Sequence, residues 1–203
     1  MWNGKKKAVT FSYDDGVTQD IRLVEIFSKY NLKATFNLNS ELLGKEGSLI
    51  RNGVRVAHTK ISAQDVRSVY DGHEVAAHTL THPALCTLSD EEVVREVEED
   101  RLALSALCGY EVLGMAYPGG GVNHDVRVER LVRERTGVRY ARTTDASGRF
   151  APQADRFAFA PTVYHLDTDA MFALGETFLA SESEAPQLFY IWGHSYEFDA
   201  WDF

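Results

Sequence analysis

"KAVTFSYDDGV", residues 7–17, is the stretch from which the fold can be read. Its first seven residues are rich in Val, Thr, Phe and Tyr, which suit a pleated, half-buried surface, so a strand is expected over 7–13. Two adjacent carboxylates, Asp14 and Asp15, stand at the strand's exit, followed by Gly16, which lets the chain turn sharply. Like charges side by side repel, and a buried carboxylate without a partner is costly. Two readings fit these residues: a metal ligand beside a base, or an acidic turn on the surface.

The chain has 203 residues, enough for one domain (1–203) with a substantial core. No proline-rich linker, charge block or fixed-period repeat divides it. Lys plus Arg number 21 and Asp plus Glu 30, a net charge of −9, which argues against nucleic-acid or anionic-membrane surfaces. The N-terminal "MWNGKKKAVTF" carries no apolar run before the first strand, and no segment is long enough to span a bilayer. The chain therefore reads as cytoplasmic. Cys86 and Cys108 are too few for a disulfide framework and are expected as reduced thiols.

Short apolar runs alternate with amphipathic ones. Strands are expected at 7–13, 33–38, 73–78, 112–116, 138–143, 156–160 and 187–193, with helices at 18–30, 62–70, 89–107, 123–136 and 167–180. Ser89 and Glu92 have the spacing of a capping box, and Val93, Val97, Leu104 and Leu107 then share one face. The acidic run 90–100 reads as that helix's solvated side. Seven strands with intervening helices imply a mainly parallel α/β sheet or barrel, whose sites gather where strands end.

The next such exit reads "HEVAAHTLTHPAL", with His78 and His82 four apart. A helix would bring them together, but Thr79, Thr81 and Pro83 disfavour one. A straight strand would hold them roughly 13 Å apart, whereas zinc keeps its nitrogens at about 2.1 Å. If both bind one ion, the chain must curl just after His78. With a carboxylate from another exit they would form a two-His, one-carboxylate set; otherwise they are unrelated loop histidines. "MAYPGGGVN" offers backbone N–H groups after Pro118 that can approach an oxyanion, or a plain turn before a helix. "YIWGHSYEF" ends the last apolar strand at His194, whose ordinary pKa near 6.5 suits a proton donor, although a histidine packed on Trp192 or Tyr196 would look the same.

Taken in order, from "TFSYDDG" to "WGHSYEF", these motifs resemble the polysaccharide deacetylases, a carbohydrate esterase family that includes chitin, chitooligosaccharide and peptidoglycan deacetylases. The resemblance implies an irregular (β/α) barrel of seven to eight strands. It implies a metal-dependent hydrolase that removes an N-acetyl group from an amino sugar or glycan. Asp14 would be the base, and Asp15, His78 and His82 the ligands of a divalent ion, zinc being the simplest choice and cobalt, nickel or iron also suiting the donors. Gly119 would offer the oxyanion N–H, His194 would be the acid, and Ile191 would line the acetyl pocket. Tyr117, Pro118 and Trp192 complete the expected substrate wall, and Tyr13, Tyr117 and Trp192 are candidates for stacking on sugar rings.

Two departures stand out. Where the family's third motif often begins with arginine this chain has Ala116, and Arg142 at the end of 138–143 is the candidate replacement. The family's Asp-Trp motif is missing, leaving Asp145 and Glu197 as weak options for orienting His194. His58, His73, His124 and His165 match no motif position. A small non-carbohydrate amide or imide is the rival substrate, and a non-catalytic carbohydrate-binding relative the rival from another class.

Overall fold

The computed structural model describes residues 2–201. Strand β1 (Lys7–Asp14) lies in the interior of a seven-stranded parallel sheet, between β2 (Ala34–Leu38) and a last strand spanning Gln187–Gly193. After β2 come a hairpin, β3 (Ser48–Arg51) and β4 (Val54–Ala57), then β5 (Glu74–Ala77), β6 (Gly114–Ala116), β7 (Tyr140–Arg142), β8 (Val163–Tyr164) and β9, the Gln187–Gly193 strand. The sheet order is β7-β6-β5-β2-β1-β9-β8, so chain neighbours lie side by side in a single winding interrupted by the hairpin, except β7 and β8, which form its two edges. Every residue of β2 is buried, as expected of a parallel strand covered on both faces.

The curl closes irregularly. Residues 156–160, expected as a strand, instead make isolated contacts: Ala141 N–H donates to Arg156 O (2.7 Å), and Phe159 exchanges bonds with Ala141 and Thr143 (3.0 Å each). Pro161 then interrupts the run, since it has no N–H to give a ladder. Beyond it Thr162 N–H donates to Tyr190 O (2.7 Å) and β8 pairs with β9. One stretch thus bridges β7 to β9, and the α/β half-barrel is drawn into a distorted barrel.

Helices α1 (Asp20–Lys29), α2 (Val66–Val69), α3 (Asp90–Cys108), α4 (Val126–Arg135) and α5 (Thr168–Ala180) fall within or near the expected spans, although α2 is one turn where a longer helix was expected. In α3 the capping box forms: Ser89 Oγ accepts from Glu92 N–H (3.3 Å), while Glu92 Oε2 accepts from Ser89 N–H (2.9 Å). The expectation that 90–100 is a solvated face is corrected in part. Glu96 and Asp100 are buried with Val93, Val97 and Leu104, because spacings of three and four put all five on the inward stripe. Cys86 and Cys108 are unpaired. Among the described residues no helix is long and apolar enough to cross a membrane.

Candidate active site

All seven sheet strands end on the same side, and a cavity of about 660 Å³ opens there. Asp14 closes β1 inside the barrel, and Asp15 follows with φ +84°, a conformation an L-residue adopts only under constraint. Gly16 (φ +60°) completes the turn; a Cβ there would lie 2.9 Å from Leu38 Cγ, so only glycine fits. Lys60 Nζ donates to the Asp15 carbonyl (2.6 Å) and approaches its Oδ1 (3.3 Å), while His58 Nε2 sits 3.2 Å from Oδ2. Burial alone would raise the Asp15 pKa; His58, Lys60 and the nearby histidines outweigh it and hold the carboxylate well below its ordinary range.

The chain does curl after His78. Thr79 (φ +70°) and His82 (φ +61°) both take left-handed angles, strained for a β-branched residue such as Thr79. Helix α3 holds the loop from beneath. Asp100 accepts from His78 N–H (2.9 Å) and Ser40 N–H (2.7 Å), and Glu96 accepts from Thr81 N–H (3.0 Å) and its hydroxyl (3.1 Å). Asn39 Nδ2 donates to the carbonyls of His78 and Thr79. The outcome is a compact donor set: one ligand atom each from Asp15, His78 and His82, all within 4.8 Å of one another. His78 Nδ1 donates to Ala116 O (2.8 Å), which leaves Nε2 for an ion; burial, with smaller contributions of both signs, lowers its pKa to about 4 and keeps the ring neutral. Two imidazoles and a carboxylate, held by hydrogen-bonded supports, suit a divalent cation with open positions.

On the other side of Asp15, Arg142 Nη2 donates to both Asp14 oxygens, and Asn37 Nδ2 donates to Asp14 Oδ1 (2.8 Å). Arg142 is itself fully buried; its Nε donates to Ser12 Oγ (3.2 Å), its Nη1 to Thr143 O (3.0 Å), and its guanidinium lies 4.7 Å from the centre of the Trp192 ring. Burial would raise the Asp14 pKa, but Arg142, with His78 and His194, lowers it below the usual value. From the end of β9, His194 reaches the same cavity, its Nδ1 3.0 Å from Glu197 Oε2. Glu197 also accepts from His165 Nε2 (2.8 Å), His194 N–H (3.2 Å) and the Tyr164 hydroxyl.

Asp14, Asp15, His78, His82, Gly119, Trp192 and His194 line the cavity, with Arg142 directly behind Asp14. Three expected substrate contacts do not reach it. Tyr117 is buried under β6, its ring stacked on His124 at 4.8 Å and its hydroxyl donating to Phe157 O (2.8 Å). Pro118 is buried and absent from the wall, while Gly119 next to it (φ +83°) is exposed. Ile191 points to the outer layer with Val163, Phe178 and Phe189, because adjacent residues of a strand face opposite sides and Trp192 takes the inner one. Tyr13 is likewise core, against Phe27, Phe36 and Phe198. Asp145 lines a separate depression beside Gly121 and Val122. The sequence reading missed His58, Lys60, Arg51, His165 and the two buried carboxylates of α3. The hairpin that carries Leu49, Arg51 and His58 to the cavity did leave a signal: Asn52-Gly53, both at positive φ, form the two-residue turn that Asn-Gly favours.

Three comparisons with known proteins bear on this site. A family model described as polysaccharide deacetylase matches residues 2–141. A peptidoglycan-N-acetylglucosamine deacetylase of Listeria monocytogenes is 29% identical over 125 residues, covering 61% of this chain and 24% of that protein. A chitooligosaccharide deacetylase of Rhizobium leguminosarum is 28% identical over 123 residues, 59% of this chain and 43% of the other. The chain therefore spans less than half the length of each of these relatives. Among solved structures, a Streptococcus pyogenes deacetylase in complex with acetate superposes with a TM-score of 0.60 at 20% identity, over 70% of this chain and 58% of that one. A CE4 family pseudoenzyme from Bacillus anthracis superposes at 0.59 and 18% identity over 97% and 58%.

Proposed function

This chain belongs to the polysaccharide deacetylase family, and we propose that it hydrolyses the N-acetyl group of an amino sugar or glycan with an Asp base, a His acid and a divalent ion. The observation that carries the reading is the convergence of Asp14, the Asp15–His78–His82 donor set and His194 in one cavity, from three separate strand exits. A divalent ion held by Asp15, His78 and His82, most simply zinc, supplies Lewis acidity that polarises the acyl oxygen and acidifies water.

The protein's own groups do the rest. Asp14, kept ionised by Arg142, takes the proton of the attacking water at its carboxylate. The N–H of Gly119 donates to the oxyanion; one such donor is worth about 10²–10³ in turnover. His194 gives a proton to the departing amine. Acetate and a free amine leave. Tyr164 and Trp192 on the cavity wall offer faces for sugar rings.

The fold alone does not separate this reading from a non-catalytic one, since a family pseudoenzyme superposes as well. A complete set of base, acid and ligand residues supports catalysis. The test is acetate release from N-acetylglucosamine oligomers by protein loaded with zinc, cobalt or nickel. Wild type is expected to release acetate and Asp14→Asn to release none while still binding the ion. If wild type binds zinc and releases acetate from no oligomer, the glycan assignment is wrong.

A further inference from the structure

Glu197 lies three residues after His194, in a short turn (Ser195–Asp199) that follows β9 directly, and it is almost completely buried. Its carboxylate grips the histidine twice: Oε2 accepts from the backbone N–H of His194 (3.2 Å) and meets ring Nδ1 (3.0 Å). Other elements hold the carboxylate still. His165 Nε2 reaches Oε2 at 2.8 Å, the Tyr164 hydroxyl donates to Oε1, and Arg51 Nε, from the hairpin, stands 3.7 Å from Oε1. A buried carboxylate with this many donors is an anion fixed in place, not a spare acid.

We infer that Glu197 is the positioning residue of the proton donor, holding His194 as the Nδ1–H tautomer with Nε2 turned to the leaving amine. This rests on the reading of His194 as the acid. A carboxylate on one ring nitrogen sets which proton the other can carry and stabilises the imidazolium. His165 does not compete for the charge. Burial pushes its pKa down, and its own Nδ1 has no partner, so protonating it would bury an unpaired N–H. For His194 burial also works downward, but Glu197, with Asp15 and Asp14 across the cavity, wins and raises its pKa. The groups facing the pair are thus Asp14 and Asp15 of the β1 exit, Tyr164 and His165 at β8, Arg51 of the hairpin, and Trp192 and Tyr196 on the histidine's own segment.

The experiment compares two substrates on the metal-loaded enzyme. An N-acetylglucosamine oligomer needs its amine protonated, whereas 4-nitrophenyl acetate has a leaving group that does not. Glu197→Gln is expected to lose about 10²-fold in kcat on the amide, within the usual worth of a general acid. KM and ester turnover should change little, and the alkaline limb of the amide pH profile should move down by about 1 unit. His194→Ala is the reference. If it spares the amide, His194 is not the acid and the underlying reading fails. If it loses the amide selectively while Glu197→Gln does not, the role given to Glu197 is overturned. Nitrogen-15 shifts of the histidine rings in wild type decide the matter even if Glu197→Gln does not fold. His194 Nδ1 should remain protonated on both sides of the kinetic pKa, and a deprotonated Nδ1 in the neutral ring would overturn the inference.

Discussion

Arg142 and Asp14 meet across the interior of the barrel, from strands that are not neighbours: β7 and β1 are separated by β6, β5 and β2 in the sheet. Neither group would be tolerable there alone. A buried guanidinium and a buried carboxylate each carry a desolvation penalty of several kcal/mol, offset only by the partner and by the further bonds to Ser12, Thr143 and Asn37. Removing one side therefore costs more than the contact itself.

Arg142→Ala is expected to lose at least about 10² in turnover, because Asp14 without the guanidinium drifts toward its protonated form. The same change should destabilise the fold by about 3–5 kcal/mol, the usual effect of stranding a buried charge. Metal content should persist, since Asp15, His78 and His82 do not touch Arg142. Denaturant unfolding, acetate release and metal analysis on one preparation check all three. An unchanged rate would remove Arg142 from the mechanism.

The histidine loop makes a second claim. Asp100 takes two backbone N–H groups, those of His78 and Ser40, and with Glu96 sets the left-handed turn that brings His78 and His82 together. Asp100→Ala leaves Ser40 N–H unmatched, at about 1–3 kcal/mol, while His78 N–H keeps its bond to Leu38 O (2.8 Å) but loses the support of the helix. Divalent-ion affinity, followed by titration calorimetry, is expected to fall about 10–100-fold. Glu91→Ala, on the exposed part of the same acidic run, should shift stability by less than about 0.5 kcal/mol. Equal metal affinity in all three proteins would mean that the loop holds its shape without α3.

These two cases mark what the sequence could disclose. Strand exits, the Ser89 capping box and the convergence of Asp15, His78 and His82 were legible because each is local, or is one local pattern added to another. Arg142 could be singled out only because Ala116 leaves a charge to be supplied. Glu96 and Asp100 were misread because composition describes a run of acids, whereas burial depends on which helical face each occupies. Ile191 and Trp192 were both assigned to the substrate wall, although alternation in a strand allows one of them there at a time. For Lys60, His58 and His165 no pattern existed to be read. Their meaning comes from neighbours 32 to 45 residues away, Asp15 for the first two and Glu197 for the third.

Asp20, the first residue of α1, is buried and accepts hydrogen bonds from the hydroxyls of Ser195 (2.5 Å) and Tyr70 (2.7 Å). Burial outweighs those bonds and pushes its pKa up to about 7, from an ordinary value near 3.8. Between those values the folded chain binds a proton that the unfolded chain does not. The contribution of Asp20 to stability therefore falls as pH rises from about 4 to about 7. His78, whose pKa is lowered, works in the opposite sense over much of that window, so the comparison must be with Asp20→Asn. Relative to wild type, that variant should gain stability as pH rises, by on the order of 1 kcal/mol per unit. Urea midpoints at several pH values measure it, and a constant difference would show that Asp20 does not titrate there.

Gly193 ends β9 one residue before His194, and its missing side chain is what lets His165 lie against the strand. A Cβ at 193 would come within 2.3 Å of His165 Cδ2 and 2.5 Å of Nε2, the atom that reaches Glu197. Gly193→Ala must therefore displace the His165 ring or bend the strand, at a cost of about 1–3 kcal/mol for overpacking. Displacing the ring also removes a donor from Glu197 beside the proposed acid. Turnover on an N-acetylated sugar should fall with the melting temperature while the divalent ion still binds. A double-mutant cycle separates this clash from a general intolerance of strand β9. If the clash is with His165, Gly193→Ala combined with His165→Ala should be less destabilised than the sum of the two single changes, since the second removes the atoms the first collides with. Simple additivity would place the strain elsewhere in the strand.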